Sequence, residues 1–283
     1  GERNKENVKG CVVDDGKSKA PEKFNNHFVS VAEKLRSFLL QVRVDFSKLE
    51  NFVRSKKDPN TKYSIPPITE SFITENLKLL SHKATGVDKI SAWMLKIAAP
   101  IIVPSLTKIM NSLLQSGVFP KRWKTAKVTP LHKSGDRSDV NNYRPISVLP
   151  VLSKLMERHV HNTMYDYLCD NNLLYSNQSG FRKYHSTETT LIKLVDQMLL
   201  NLDNNRVTGV VLIDYCKAFD MVDHSILLSK LKVYGLCDNT TKWFNSYLSD
   251  SIAGKNSDCA NVPHGVPPGS ILGPLFSVYN LHK

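Results

Sequence analysis

The apolar positions of this chain change period several times, and each change predicts an element. Residues 1–20 (GERNKENVKGCVVDDGKSKA) are polar without periodicity and read as linker. From Pro21 to Leu40 the residues Phe24, Phe28, Val31, Leu35, Phe38 and Leu39 recur at helical spacing. Val42 to Pro66 then turns polar and irregular, a second linker, so the compact region is expected to begin near Ile65. Beyond it, Leu106, Ile109, Met110, Leu113 and Leu114 repeat at helical spacing, and Gly117 with Pro120 behind it closes that helix. Ala126 to Leu131 is short and strand-like, followed by a Lys-Ser-Gly-Asp turn at 133–136. Val148 to Leu168 and Thr189 to Leu202 are predicted amphipathic helices with charged outer faces. Arg206 to Ile213 (RVTGVVLI) is β-branched and almost continuously apolar, which predicts a buried strand. Asp223 is placed to cap a helix running through Val233, with Gly235 behind it. The sum is an α+β chain with helices packed on a small sheet.

Composition sets outer bounds. A length of 283 residues with 41% hydrophobic positions suffices for one large core or two smaller subdomains. The cysteines (Cys11, Cys169, Cys216, Cys237, Cys259) lie far apart with no C-x-x-C pair, so neither a zinc site nor a disulfide framework is indicated, and reduced thiols are expected. The most apolar segment, Ala98 to Val103, is broken by Pro100 and Pro104 and falls short of the roughly 20 residues that span a bilayer. No membrane partner is expected, and the reading is a soluble intracellular protein. The first residue is Gly and no signal-peptide pattern follows, so the start reads as an excision from a longer polypeptide.

The formal charge of +12 is unevenly placed. Between Lys121 and Arg144 there are seven Lys or Arg (Lys121, Arg122, Lys124, Lys127, Lys133, Arg137, Arg144) against two acids, Asp136 and Asp139. Such a patch attracts phosphates, on a nucleic-acid backbone or on a nucleotide, in a salt-dependent way. A solvated basic face is the other reading.

Three segments could carry chemistry. Asp214 ends the predicted strand and is followed by Tyr-Cys-Lys-Ala-Phe-Asp at 215–220. A carboxylate at the tip of a hydrophobic strand can hold Mg²⁺ with the next backbone carbonyl as a further oxygen ligand, or it can simply cap a turn. No G-x-x-x-x-G-K-[ST] loop accompanies it, which removes the usual P-loop partner. Gly265-Val266-Pro267-Pro268-Gly269-Ser270 imposes a fixed loop in which backbone can approach a ligand closely and Ser270 can cap a helix; a tight structural turn explains it nearly as well. Asn142-Tyr143-Arg144-Pro145-Ile146 follows Lys133 closely enough for a turn to bring both cations to one site, where a Lys point charge and an Arg fork suit a triphosphate.

In this order and spacing the segments resemble the reverse transcriptase domain of LINE-type non-LTR retrotransposons, from about Phe24 to Tyr279. The blocks that carry the resemblance are KATGVDKISAWMLK (83–96), GVFPKRWKTAKVTPLHKSGD (117–136), NNYRPISVLPVLSKLMER (141–158), NQSGFRKYHST (177–187), LIDYCKAFDMVDH (212–224) and HGVPPGSILGPLF (264–276). The resemblance implies polymerase-like fingers and a partial palm with a mainly antiparallel sheet and no thumb: 1–64 an N-terminal linker and helix, 65–205 fingers with part of the palm, and 206–283 the truncated palm.

It also implies roles. Asp214 matches the aspartate that binds two catalytic Mg²⁺ ions, with the Tyr215 carbonyl as backbone ligand. Phe219 matches the bulky residue that excludes a ribose 2′-OH, although by itself it reads as a core aromatic. Lys133 and Arg144, with Gly269, match the grip on the incoming nucleotide, and Arg182 and Lys127 the contacts to template. Asp88 and Asp220 are expected to order loops. The implied partners are an RNA template, a DNA primer and dNTP, in a ribonucleoprotein of the nucleus and cytoplasm.

Two departures qualify this. Pro268 stands where family members usually carry Gln, which removes a side-chain hydrogen bond and should weaken nucleotide binding. The sequence stops at Lys283, before the second carboxylate hairpin, so the chain as written is expected to lack measurable polymerase activity and to be marginally stable, with Val210 to Ile213 short of neighbours. The alternative function is a non-catalytic RNA-binding remnant. An unrelated Mg²⁺ phosphotransferase finds little support, because no second carboxylate-rich motif accompanies Asp214.

Overall fold

Met156, Val160, Met164 and Leu168 stand four residues apart, and none exposes any surface to solvent (0% each). That spacing puts one full stripe of the helix Val151–Asp170 inside the protein and makes this helix the axis of the core. The architecture comes from a computed structural model that describes residues 22–28, 30, 44–80, 84–214, 217–249, 251–253, 260–262, 265–266 and 269–280. Along the chain the elements are α1 (Ser47–Lys56), α2 (Glu70–Leu79), α3 (Ala92–Ser116), the single turn α4 (Lys121–Lys124), β1 (Thr125–His132), β2 (Tyr143–Val148), α5 (Val151–Asp170), α6 (Thr187–Asp203), α7 (His224–Val233), α8 (Asp238–Leu248), β3 (Ser251–Ala253), β4 (Ala260–Val262) and α9 (Gly273–Asn280). A further helical stretch covers 22–28. The mixed α+β class expected from the sequence holds.

Around α5 pack Leu49 and Val53 of α1, Ile73 and Leu77 of α2, Met110 and Leu114 of α3, Leu227 and Leu231 of α7, Trp243 and Phe244 of α8, and Phe276 of α9, all in one buried cluster. The sheet runs in the order β2-β1-β3-β4. β1 pairs antiparallel with β2 and parallel with β3, and β3 pairs antiparallel with β4, so the small sheet is mainly antiparallel.

Helix ends follow their side-chain chemistry. Thr69 and Ser91 accept hydrogen bonds from Phe72 N (3.2 Å) and Met94 N (3.1 Å) at the starts of α2 and α3, and Asp223 accepts from Ser225 N and Ile226 N at the start of α7. Ser186 and Thr189 form a reciprocal capping box on α6. Gly117 ends α3 in the left-handed region at φ 66°, as its position after the last periodic leucine predicts.

Three expectations need correction. Of the expected linker 42–66, the described part from 44 on is not irregular: Leu49 and Val53 of α1 are core residues, and Tyr63 is buried. Tyr63 bridges Leu236 through Tyr63 N to Gly235 O and Cys237 N to Tyr63 O, both 2.9 Å, and its hydroxyl meets Thr163 Oγ1 at 2.7 Å. Phe46, Leu49, Phe52 and Val53 do follow helical spacing, but over only two turns among polar residues, and the period is confirmed by the core partners they find in distant sequence.

Pro100 and Pro104, expected to interrupt the Ala98–Val103 segment, lie inside the 25-residue helix α3. Both rings sit on its exposed side, where carbonyls left without an N–H donor can meet water, while Val103, Leu106, Met110 and Leu114 hold the other side in the core. By length and composition α3 could cross a membrane; in this fold its buried face belongs to the protein core.

The third correction is the largest. Residues 207–214 form no strand, and Val207, Val210, Val211, Leu212 and Ile213 are exposed rather than buried, Val211 by 84% and Leu212 by 91%. Apolar β-branched residues make a buried strand only where another strand accepts their N–H and C=O groups, and among the described residues the strands of the sheet pair only with one another. The amphipathic helix α6 shares the situation, since none of its residues is buried and Leu191, Ile192, Val195, Leu199 and Leu202 face solvent.

Because Val211 and Leu212 touch no core, Val211→Lys with Leu212→Lys is expected to leave the thermal midpoint essentially unchanged, within about 0.5 kcal/mol. The same change should reduce self-association in light scattering, because it breaks up an exposed apolar run. Met164→Ala, in the core, should cost about 2–5 kcal/mol in chemical unfolding.

Candidate functional site

The β1–β2 hairpin turns a basic stretch of sequence into a directed surface. Side chains alternate along a strand, and the register pairs Leu131 with Arg144, Thr129 with Ile146 and Lys127 with Val148. Lys127, Thr129, Leu131, Arg144 and Ile146 are all exposed, so they share the outer face, and Lys133 continues the same alternation. Its backbone N–H donates to Asn142 O at 2.8 Å, which extends the ladder past the last paired residues. Lys127, Lys133 and Arg144 therefore present three cations on one face.

Short polar side chains fix the turn between the strands. Asp136 accepts from Ser138 N (2.9 Å) and the Ser138 hydroxyl (2.6 Å), bonds that hold its carboxyl below the usual aspartate range. Asp139 accepts from Asn141 N at 2.9 Å, Asn142 Nδ2 donates to Asp136 O at 2.9 Å, and Gly135 takes φ 83°. The acids inside the basic segment are thus the turn's own ligands. Lys124 departs in the other direction: it is 7% exposed, and its Nζ donates to Ser246 O (2.7 Å) and Ser249 O (2.8 Å), closing the C-terminal end of α8. It contributes packing and no surface charge.

The opposite face of the hairpin is covered. Tyr143 meets the ring of Phe24 edge-on at 4.8 Å and that of His132 at 5.2 Å, and its hydroxyl donates to Arg137 O at 2.9 Å.

The glycine-rich loop joins this hairpin to the segment after Asp214. Gly269 has φ 108°, and a Cβ there would stand 2.8 Å from Ser147 O on β2, so only glycine lets the two backbones meet. Gly265 N donates to Val222 O (2.9 Å) and Val266 N to Phe219 O (3.0 Å), while a Cβ on Gly265 would strike the Asp220 backbone at 2.8 Å. Ser270 caps α9 through Gly273 N at 3.1 Å. The ring of Phe219 lies against Gly273 and meets Phe181 of the Gly-Phe-Arg string edge-on at 6.3 Å. Just past the same end of β2, Gly86 packs on the Leu149-Pro150 backbone, where a Cβ would come within 2.8 Å of Pro150 N.

The remaining sequence candidates separate. Asp214 is exposed and stands on the unpaired segment rather than at a strand tip; Tyr215 and Pro268 lie outside the described residues. Arg182 turns inward: Nη1 donates to Tyr175 O (3.1 Å) and Gln178 O (3.3 Å), tying its own loop together. Asp88 accepts from Ile90 N at 3.2 Å, a loop-ordering contact of the kind expected. Burial raises the Asp220 carboxyl above its ordinary value, partly offset by Lys217. Among the described residues no three His, Cys, Asp or Glu side chains gather as metal ligands. Asp214 supplies one carboxylate, and the rest of a Mg²⁺ oxygen shell would come from water, substrate phosphates and further protein oxygens.

One residue that sequence reading passed over stands at the centre. Glu157 on α5 has no solvent exposure; Oε1 accepts from the Ser153 hydroxyl (2.8 Å), and Oε2 from Ile271 N (2.7 Å), the Tyr247 hydroxyl (3.3 Å) and Leu272 N (3.5 Å). The available signal was its helical phase, because 153, 157, 160, 164 and 168 form one stripe and a carboxylate interrupts an otherwise inward-facing row. Burial pushes its carboxyl above the ordinary glutamate value, against the hydrogen bonds that lower it.

The profile of a family described as "Reverse transcriptase (RNA-dependent DNA polymerase)" matches residues 131–283. The chain is 36% identical over 231 residues to a probable RNA-directed DNA polymerase from transposon BS of Drosophila melanogaster, covering 76% of this chain and 24% of that protein. It is 34% identical over 209 residues to the RNA-directed DNA polymerase from mobile element jockey of Drosophila melanogaster, covering 71% and 23%. Over 205 residues it is 30% identical to a probable RNA-directed DNA polymerase from transposon X-element of Drosophila melanogaster, covering 69% and 22%. The chain spans about a quarter of the length of the curated relatives it matches.

A carboxyl raised by folding gives stability that is whole below its ordinary value of 4.5 and is lost as pH climbs through the folded value. Wild type should therefore lose thermal stability relative to Glu157→Gln, which cannot titrate, as pH is raised from 4.5 upward. Gly269→Ala, which combines a left-handed φ with a backbone clash, is expected to cost roughly 1–3 kcal/mol in chemical unfolding.

Proposed function

Given that the chain belongs to the reverse transcriptase (RNA-dependent DNA polymerase) family, in the branch encoded by non-LTR retrotransposons, we propose that it forms the nucleotide- and template-facing part of such a polymerase. The observation that supports this most directly is the hairpin: three cations on one exposed face, on strands whose far end is in backbone contact with the glycine-rich loop. On this reading Lys133 and Arg144 take the triphosphate of an incoming dNTP, a point charge beside a bidentate fork. Gly269 brings backbone close to the nucleotide, and Phe219, wedged between Gly273 and Phe181, closes the space beside the sugar. Lys127 meets the template backbone. Arg182 acts by shaping its loop, since its donors are turned toward Tyr175 and Gln178.

Reverse transcriptases use divalent metal ions, and Asp214 with the Tyr215 carbonyl is this chain's contribution to the two-Mg²⁺ centre that nucleotidyl transfer calls for. Among the described residues no three His, Cys, Asp or Glu side chains gather around it as metal ligands. The whole activity, RNA template and DNA primer included, belongs to a longer polypeptide of the kind its relatives represent, working as a ribonucleoprotein in nucleus and cytoplasm.

A second reading, a non-catalytic RNA-binding remnant, keeps the hairpin and drops the chemistry. The exposure of Asp214 on a segment that no strand among the described residues pairs with favours it.

Two titrations separate these. Neutralising Lys127 to Gln should lower the slope of log affinity against log salt for single-stranded RNA by roughly 0.7, the weight of one phosphate contact, and neutralising Lys133 and Arg144 as well should bring the drop to about 2 on the remnant reading, where all three meet RNA. Lys133→Ala or Arg144→Ala should weaken binding of a fluorescent dATP analogue roughly 10-fold, the scale of one charge-assisted hydrogen bond. Salt-sensitive RNA binding without nucleotide binding would select the remnant, and an unchanged salt slope would remove both readings.

A further inference from the structure

The polymerase reading assigns the glycine-rich loop to the nucleotide but leaves open what holds that loop in place. Its backbone contacts run to Ser147 of the hairpin and to Phe219 and Val222 of the adjoining turn, of which Val222 is a core residue. Val266 and Leu272 pack into the core at the loop's two ends, and His224 Nε2 of α7 meets Gly265 O at 2.8 Å; in the 270–272 turn, the buried polar contact with α5 comes from one side chain. Glu157 reaches from α5 and takes Ile271 N at 2.7 Å and Leu272 N at 3.5 Å on Oε2, while the Ser153 and Tyr247 hydroxyls fix the carboxylate itself.

We propose that Glu157 is a positioning residue for nucleotide binding: from inside the core it sets the Ser270–Leu272 backbone, and through it Gly269 and the ring of Phe219. This rests on the reading of the loop as part of the nucleotide site.

Three features argue for it. The residue is fully buried, where a carboxylate is costly and an apolar side chain would pack at no such cost, so its acceptor oxygens are the reason to have it there. It accepts from two consecutive backbone amides, which fixes the direction of a turn as well as its distance. Those amides lie directly between Gly269, which meets β2, and Gly273, against which Phe219 rests, so a shift of the turn moves both contacts.

The test uses the chain with Glu157→Gln, Glu157→Leu and Glu157→Asp, read by amide hydrogen exchange and by titration with a fluorescent dATP analogue and Mg²⁺. Gln keeps an acceptor oxygen at the same reach and should behave as wild type. Leu fills the volume without an acceptor, and Asp keeps the charge but is one methylene too short. Both should speed exchange at Ile271 and Leu272 roughly 10- to 100-fold, leave exchange in Ser47–Lys56 unchanged, and weaken the nucleotide roughly 10-fold without changing RNA affinity. Should Leu fail to fold, Asp carries the comparison. Wild-type exchange at Ile271 and Leu272 in both variants overturns the proposal, as does an equal rise across all helices, which marks a merely structural role. If wild type itself does not bind the analogue, the nucleotide reading falls separately, and the exchange data alone decide whether Glu157 holds the turn.

Discussion

A helix at the centre of a core usually settles its burial with apolar side chains alone, and Val151–Asp170 does so along most of its inward stripe, from Met156 through Leu168. At one position the stripe instead carries a carboxylate, and four donors from three parts of the chain converge on it. The constraint is mutual. Glu157 is tolerable in the interior because Ser153, Tyr247, Ile271 and Leu272 supply hydrogen bonds, and the 269–272 turn has a fixed geometry because a buried acceptor cannot let its donors go without exposing an unsatisfied group. The aromatic packing of Phe119, Trp243, Tyr247 and Phe276 lies beside this clasp and keeps water from competing for it.

From that fixed point the site extends by backbone contact rather than by side chains. Gly269 on Ser147, Gly265 on Asp220 and Gly86 on Pro150 are each approaches that a Cβ would block. The hairpin, the glycine-rich loop, the turn after Asp214 and the segment around Gly86 therefore meet as main chain, leaving side chains such as Arg144, Lys133 and Phe219 free to face outward or into the gap. Charge is distributed with the same economy. Of the basic residues between Lys121 and Arg144, Lys124 serves a helix end, and the acids of that stretch serve the turn, while Lys127, Lys133 and Arg144 stand on the outer face.

The apolar side chains of 206–213 and of Thr187–Asp203 show the limit of this economy. Their sequence has the composition of buried elements, and in the fold they face solvent. A strand is a pairing, and hydrophobicity supplies only one of its requirements; the N–H and C=O groups need the edge of another strand, which the described residues do not offer. Asp214 shares the fate of the segment that carries it.

What the sequence determined by itself was whatever local chemistry decides. Gly117 after a periodic leucine run, Asp223 ahead of α7, Ser270 ahead of α9 and the Lys-Ser-Gly-Asp turn were all legible, because caps and turns are settled by residues within a few positions of one another. The six blocks in order identified the family for the same reason, since spacing along the chain is a property of sequence. The tertiary structure alone decided which of those features act together. It took Arg182 out of the candidate surface and into its own loop, turned Lys124 inward, and made a core element of α1, whose helical spacing at Phe46, Leu49, Phe52 and Val53 is too short to tell a core helix from a surface turn until distant partners cover it. It also gave Glu157 its place, because the amides it binds lie 114 and 115 residues away and only folding brings donors and acceptor to one point.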